Sequence, residues 1–278
     1  MAYQLSLTTA LVSTKAVPPP KTLLPAPERR KRMRALQSPG ADQNPKPPSL
    51  ARASAHGRAL LRTSPLFSHI NDHEADVVLE EAWVVHCPEG AQIFAKGDPG
   101  DSMMAVLRGR VVISNASPQG RPLVLTIFRE GDVFGEMALL DGKERSADAT
   151  AAAECELLVV PRCSLLRLLE HRPDVCIELM VVLCGRVRRT NEQVEDFAFL
   201  GLERRIAKLL LRLTQDAMGQ STASRPGLKI SQRALGELVG ATRENINRHL
   251  QDWKRSGIIA IENGSIQICN RDALADLV

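Results

Sequence analysis

Phe134-Gly135-Glu136-Met137-Ala138-Leu139-Leu140-Asp141-Gly142-Lys143-Glu144-Arg145-Ser146 places the Glu136 carboxylate and the Arg145 guanidinium around a short helical turn. A desolvated phosphate monoanion needs a bidentate partner that never loses its charge, which Arg145 supplies. It also needs backbone N–H groups at a helix start, which the Gly135-Glu136 turn supplies. Glu136 can then accept a hydrogen bond from a ribose 2′-hydroxyl. That is the chemistry of a cyclic nucleotide pocket, with Gly135, Glu136, Arg145 and Ser146 as its residues in this stretch.

Around it, from Trp83 to Val160, short apolar runs alternate with Gly, Pro and Asp turns. The runs are Trp83-Val84-Val85, Met103 to Leu107, Val111-Val112-Ile113, Leu123 to Phe128 and Leu157 to Val160, a spacing that predicts an all-β barrel or roll. Gly97, Gly109 and Gly131 are expected to serve backbone geometry rather than a ligand, since glycine supplies φ values that other residues resist. His86 and Cys87 read as neighbours on opposite faces of a strand.

Between Asp174 and Leu200 the period becomes helical. Cys176, Met180, Leu183, Val187, Thr190, Val194 and Phe197 recur at alternating steps of four and three, a coiled-coil seam of about three heptads. A homodimer follows, with the polar Thr190 fixing register. Further on, Ser231 can cap a helix running to Val239, Gly240-Ala241 makes a turn, and Thr242 can cap a second helix. This is helix-turn-helix spacing. Ile246, Leu250 and Trp253 form the buried stripe of the second helix and leave Arg243, Glu244, Asn247, Arg248 and Gln251 facing outward. Such a face suits a DNA major groove, because Arg bonds guanine in a bidentate way and Glu accepts from cytosine N4. The bland reading of Glu244 and Arg248 is an i,i+4 surface ion pair. Ser231, Gln232, Thr242 and Lys254 are expected to contact DNA phosphates. Ile258 to Cys269 reads as a β-hairpin turning at Asn263-Gly264.

A chain of 278 residues can hold two domains, and no apolar run is long enough to cross a bilayer, so a cytoplasmic protein with no membrane partner is expected. Charge is unevenly spread. Residues 1–58 carry ten Lys/Arg against two Asp/Glu, residues 59–200 fourteen against twenty-two, and residues 201–278 twelve against eight. A basic end behind an acidic middle suits a phosphate-binding module carried on a non-binding sensor. The six cysteines, at 87, 155, 163, 176, 184 and 269, form no C-x-x-C and no metal-ligand cluster. Residues 1–58 hold nine of the seventeen prolines and the run Arg29-Arg30-Lys31-Arg32-Met33-Arg34, the composition of a disordered basic tail. No nucleophile is paired with a base, so the chain does not read as an enzyme.

These motifs together resemble the CRP/FNR family of bacterial transcription regulators, from about Leu66 to the end of the chain. Lys96-Gly97-Asp98-Pro99-Gly100-Asp101-Ser102 and Leu107 to Val111 look like turns of that family's β-roll, and Thr242-Arg243-Glu244-Asn245-Ile246-Asn247-Arg248 resembles its S/T-R-E-T-V-x-R recognition segment. The resemblance implies an α+β protein: a tail over 1–58, a β-roll cyclic-nucleotide-binding sensor over 59–172, a dimerisation helix over 173–200 and a winged helix-turn-helix over 201–278. It implies Arg243, Glu244 and Arg248 as base readers on a palindromic operator with TGTGA-type half-sites, a cyclic nucleotide (cAMP or cGMP) as effector, and RNA polymerase as a partner. In family members that bind cyclic AMP, two adjacent hydroxyl residues meet the adenine, one from each subunit. Thr190 matches the first, and the second position is Asn191. The family's iron–sulfur sensors carry cysteines before the roll, where this chain has none. Two other readings stay open: a regulator of the same type that binds DNA without nucleotide or senses redox state through Cys176 and Cys184, and a cyclic-nucleotide-binding adaptor with no DNA role.

Overall fold

The computed structural model describes residues 61–278 apart from 62–63, 65–66, 68, 119, 219–227, 229 and 263. The basic segment 1–58, Leu66 and Asn263 of the expected hairpin turn therefore lie outside the described residues. The rest divides into two compact units, one of residues up to 113 with 128–186, the other of residues 114–127 with 187–278.

Between Asp72 and His171 the apolar runs fold as strands, those over 102–108 and 155–161 being largely buried on both faces. After α1 (Asp72–Leu79) come β1 (Trp83–Cys87), β2 (Gln92–Phe94), β3 (Ser102–Arg108), β4 (Arg110–Ala116), β5 (Pro122–Arg129), β6 (Val133–Phe134), the short α2 (Glu136–Asp141), β7 (Asp148–Ala151), β8 (Cys155–Pro161) and α3 (Arg162–His171). They form two four-stranded sheets, ordered β1-β8-β3-β6 and β2-β7-β4-β5. β8 runs antiparallel to both neighbours, with Trp83 opposite Val159, Cys87 opposite Cys155 and Met103 opposite Val160. Its odd residues Cys155, Leu157 and Val159 join a core with Phe94, Val106, Phe128 and Phe134. Its even residues Leu158 and Val160 join a second core built from α1, α3 and the start of the next helix. A strand buried on both faces has no polar side, which is why Met103 to Leu107 and Leu157 to Val160 read as continuous apolar runs rather than alternating ones.

α4 (Pro173–Phe199) starts in this unit. Val175 and Leu179 are buried in the helix-side core, and Leu183 packs half-buried against it. The opposite stripe, Ile177, Met180 and Val181, is exposed. Further along, Val187 is 59%, Val194 60% and Phe197 41% exposed, and the Arg205 guanidinium lies over the Phe197 ring, 4.7 Å from its centroid.

The second unit is built on α5 (Leu202–Met218), α6 (Gln232–Val239), α7 (Arg243–Arg255), the hairpin β9 (Ile259–Glu262) and β10 (Ser265–Ile268), and α8 (Arg271–Ala275). The caps form as expected: Ser231 Oγ accepts from Ala234 N at 3.1 Å and Thr242 Oγ1 from Asn245 N at 3.3 Å. Ile246, Leu250 and Trp253 are buried, and the Trp253 indole N–H donates to Glu203 Oε1 at 3.1 Å, tying α7 to α5. Leu228 exchanges backbone hydrogen bonds with Ile266, adding a bridge to the hairpin. The turn between α6 and α7 is tight, so that a Cβ on Gly236 would come 2.6 Å from the Ala241 carbonyl oxygen. No described helix is long and apolar enough to cross a membrane.

Two predictions follow from this packing. Burial pushes the Cys87 thiol up to about 11 and raises Cys155 as well, so both stay as unreactive thiols at pH 8. Alkylation by iodoacetamide, mapped by mass spectrometry, is expected to label the exposed Cys163 and Cys269 and to reach Cys87 and Cys155 only in denaturant. Gly236→Ala forces a backbone shift in the turn and is expected to cost about 1–3 kcal/mol, read as a lower melting temperature.

Candidate functional site

The sensor site grows from a row of three phenylalanines. Phe94 and Phe134 have ring centroids 5.9 Å apart, and Phe128 stacks on Phe134 at 5.7 Å. A guanidinium lies over each end of the row: Arg145 is 4.4 Å from the Phe94 centroid and Arg186 is 4.7 Å from that of Phe128. Rings present a negative face, so both cations gain from it. Aromatic faces thus hold two permanent charges at fixed places beside the turn that follows β6.

Arg145 is 2% exposed. Its Nη1 donates to Gly135 O at 2.6 Å, and its Nη2 to Ser102 O at 2.8 Å and Ser102 Oγ at 3.3 Å. Nε is buried without a hydrogen-bond partner among the described residues. Among the described residues Arg145 makes no ion pair; Asp101, Glu136 and Asp98 act on it only at longer range. Burial pulls its pKa down, and those three carboxylates oppose the shift. Gly135 is needed at its position for two reasons. It sits at φ 77°, and a Cβ there would come 2.5 Å from Arg145 Nη1. The backbone around Arg145 is held by the preceding loop, with Gly97 N donating to Arg145 O and Arg145 N to Asp98 O, both at 2.8 Å.

Glu136 is likewise 2% exposed, and its Oε1 is ion-paired with Arg186 Nη1. Arg186 also donates to Val133 O. The structure therefore brings Gly135, Glu136 and Arg145 together and adds Arg186, which sequence reasoning did not single out. One signal for it was available: it lies one helical turn before Thr190 on α4, on the same face. Ser146, adjacent to Arg145, is exposed, its Oγ 3.9 Å from Met137 Sδ. Thr190 and Asn191 are exposed residues of α4 in the other compact unit. Of the residues expected in the dimer seam, Met180, Val187, Val194 and Phe197 are exposed, the Arg205 guanidinium lying over the Phe197 ring, while Leu183 is half-buried against the sensor's own core. Cys176 and Cys184 are two turns apart on one helix, about 12 Å, beyond disulfide reach within a chain.

In the second unit, Arg243, Glu244, Asn247, Arg248, Gln251 and Lys254 are exposed along α7, opposite the buried stripe. The Glu244 pKa is lowered, chiefly by its own backbone N–H and then by the Thr242 hydroxyl, with Arg243 and Arg121 adding charge attraction. It is a carboxylate acceptor at neutral pH. Ser231 and Thr242 cap their helices, and Gln232 is bonded to Asn247 at 3.0 Å. Residues 243–248 thus offer donors and acceptors in the first two turns, the part of a recognition helix that approaches base edges.

Comparison with known proteins agrees with both units. Residues 84–172 match the cyclic nucleotide-binding domain and residues 204–277 the Crp-like helix-turn-helix domain. The CRP-like cAMP-activated global transcriptional regulator of Mycobacterium tuberculosis is 32% identical over 78% of this chain and 97% of its own length. The cyclic AMP receptor protein of Thermus thermophilus is 30% identical over 75% and 94%. Among solved structures, the c-di-GMP responsive global regulator CLP of Xanthomonas campestris superposes with a TM-score of 0.65 at 24% identity, over 71% of this chain and 99% of its own, a likeness of fold. These relatives are transcription regulators and not enzymes. A nucleotide-sensor roll, a long helix and a DNA-reading helix-turn-helix in one chain, matched along most of its length, place this chain in the CRP/FNR family of transcription regulators.

Proposed function

We propose that this regulator is a homodimer whose binding to a palindromic operator is switched by cyclic AMP bound in the sensor roll. The observation that carries the reading is the Arg145 guanidinium. A buried charge without a counter-ion is costly, by several kcal/mol, and here two carbonyls and a hydroxyl do only part of the work while Nε has nothing. An anion supplied from outside completes the site. A cyclic phosphate diester fits, because its two free oxygens match the planar fork of the guanidinium.

The remaining roles follow from the same chemistry. Glu136 has a second oxygen for a ribose hydroxyl while Arg186 holds the first. Ser146 adds a hydroxyl donor beside the phosphate. Thr190 and Asn191 contribute base contacts, and the cAMP-activated relatives favour adenine over guanine. The exposed apolar stripe of α4, with Met180, Val187 and Val194, buries itself against the same stripe of a second copy. The segmentation is a sensor over 59–172, a dimerisation helix over 173–200 and a winged helix-turn-helix over 201–278. Arg243, Glu244 and Arg248 read bases, with Ser231, Thr242 and Lys254 near phosphates, and RNA polymerase is the downstream partner. Ligand binding shifts a two-state dimer toward the form in which both recognition helices dock, with half-sites about one DNA turn apart.

Fluorescence anisotropy with a TGTGA-type palindrome, at stated salt, tests the switch. Cyclic AMP is expected to raise operator affinity of the wild type and cyclic GMP to do so less. Arg145→Lys keeps the charge but not the fork, and is expected to lose the cyclic AMP response while keeping basal DNA affinity. A wild-type response in that variant overturns the pocket assignment. Glu136→Gln leaves Arg186 without its carboxylate; an expected loss of about 3 kcal/mol in sensor stability is checked by chemical denaturation, alongside weaker nucleotide binding by calorimetry.

A further inference from the structure

Gln232 opens α6 and Asn247 lies in the second turn of α7, yet the two side chains meet: Gln232 Nε2 donates to Asn247 Oδ1 at 3.0 Å. The bond spans the two helices of the helix-turn-helix on its solvent side, where Asn247 is exposed. Neither helix depends on it for support. α6 is capped by Ser231, its Arg233 pairs with Glu237, and α7 is anchored by Ile246, Leu250 and Trp253. Asn247 shares the outward face with Arg243 one turn before it and Gln251 one turn after, since residues four apart lie side by side on a helix.

An asparagine amide recognises adenine in the major groove by accepting from N6–H with its oxygen and donating to N7 from its nitrogen. Both bonds demand one orientation of the amide plane, which an exposed side chain does not hold unaided. Gln232 fixes it. Its N–H takes one lone pair of Asn247 Oδ1 and leaves the second lone pair and both Nδ2 hydrogens available, the set that adenine requires. Arg243 and Arg248 on the same stretch have no acceptor and so cannot make this pair.

On the strength of the DNA-reading role assigned to α7, we propose that Asn247 is a specificity-determining residue that reads an adenine in each half-site, with Gln232 as its positioning residue rather than a phosphate contact. The test uses the full chain with cyclic AMP: selection from an operator randomised in both half-sites, then anisotropy on single-base variants across a salt series. Asn247→Ala is expected to lose a roughly tenfold preference for adenine at one position per half-site and to leave other positions unchanged. Gln232→Ala is expected to lose most of the preference at that same position with the salt slope intact, and the double variant to be no worse than Asn247→Ala alone. Thermal melts identical to wild type show that the variants are folded, as both residues are on the surface. Unaltered base preference in Asn247→Ala overturns the proposal. So does a Gln232→Ala variant that binds all sequences uniformly more weakly with a salt slope shallower by about one, the mark of a lost phosphate contact. A wild-type protein without any base preference overturns the DNA-reading role and this proposal together.

Discussion

A guanidinium buried without an ion pair among the described residues is the constraint around which the sensor is arranged. To keep Arg145 charged out of water, the chain offers it the face of Phe94, the carbonyls of Ser102 and Gly135, and three carboxylates at longer range. Each of these dictates something else. The Gly135 carbonyl is reachable because the residue has no Cβ and takes a left-handed φ, which also starts α2 and turns Glu136 inward. The loop at Gly97 and Asp98 clasps the Arg145 backbone from the other side. Phe94 is held by Phe134, and Phe134 by Phe128, whose ring carries Arg186 and so returns to Glu136. The cation, the turn, the aromatic row and the first half of α4 are one connected set.

α4 illustrates how a single helix serves several neighbours. Val175 and Leu179 bind it to the sensor's helix-side core, Arg186 links it to Glu136, and Phe197 near its end packs under Arg205. The apolar stripe left over lies on the other side.

Most of this was legible in the sequence, for reasons that differ by element. The helix-turn-helix was the clearest, since caps at Ser231 and Thr242 and the stripe Ile246, Leu250 and Trp253 are local signals that long-range packing did not override. The roll was legible as a class because two-sided burial leaves uninterrupted apolar runs, although pairing order was not, being a matter of contacts far apart in the chain. α1 carries a local start signal of its own, the reciprocal capping box of Asn71 and Glu74. The heptad reading of α4 puts Leu183 in a seam between subunits, and periodicity alone does not reveal that Leu183 also packs half-buried against the chain's own core. The same limit hid Arg186 and the Gln232–Asn247 bond, as both join segments whose proximity only the fold creates.

The carbonyls that cradle Arg145 have a consequence for sensitivity. Under the proposed function these ties hold the plane of the guanidinium in place while its Nε keeps an open donor, so an entering anion meets a fork already aimed. Loosening a tie would let the fork swing and add an ordering cost to capture, without any change to the groups that touch the ligand. The concentration at which such a site fills would then be set partly by two oxygens that recognise nothing themselves.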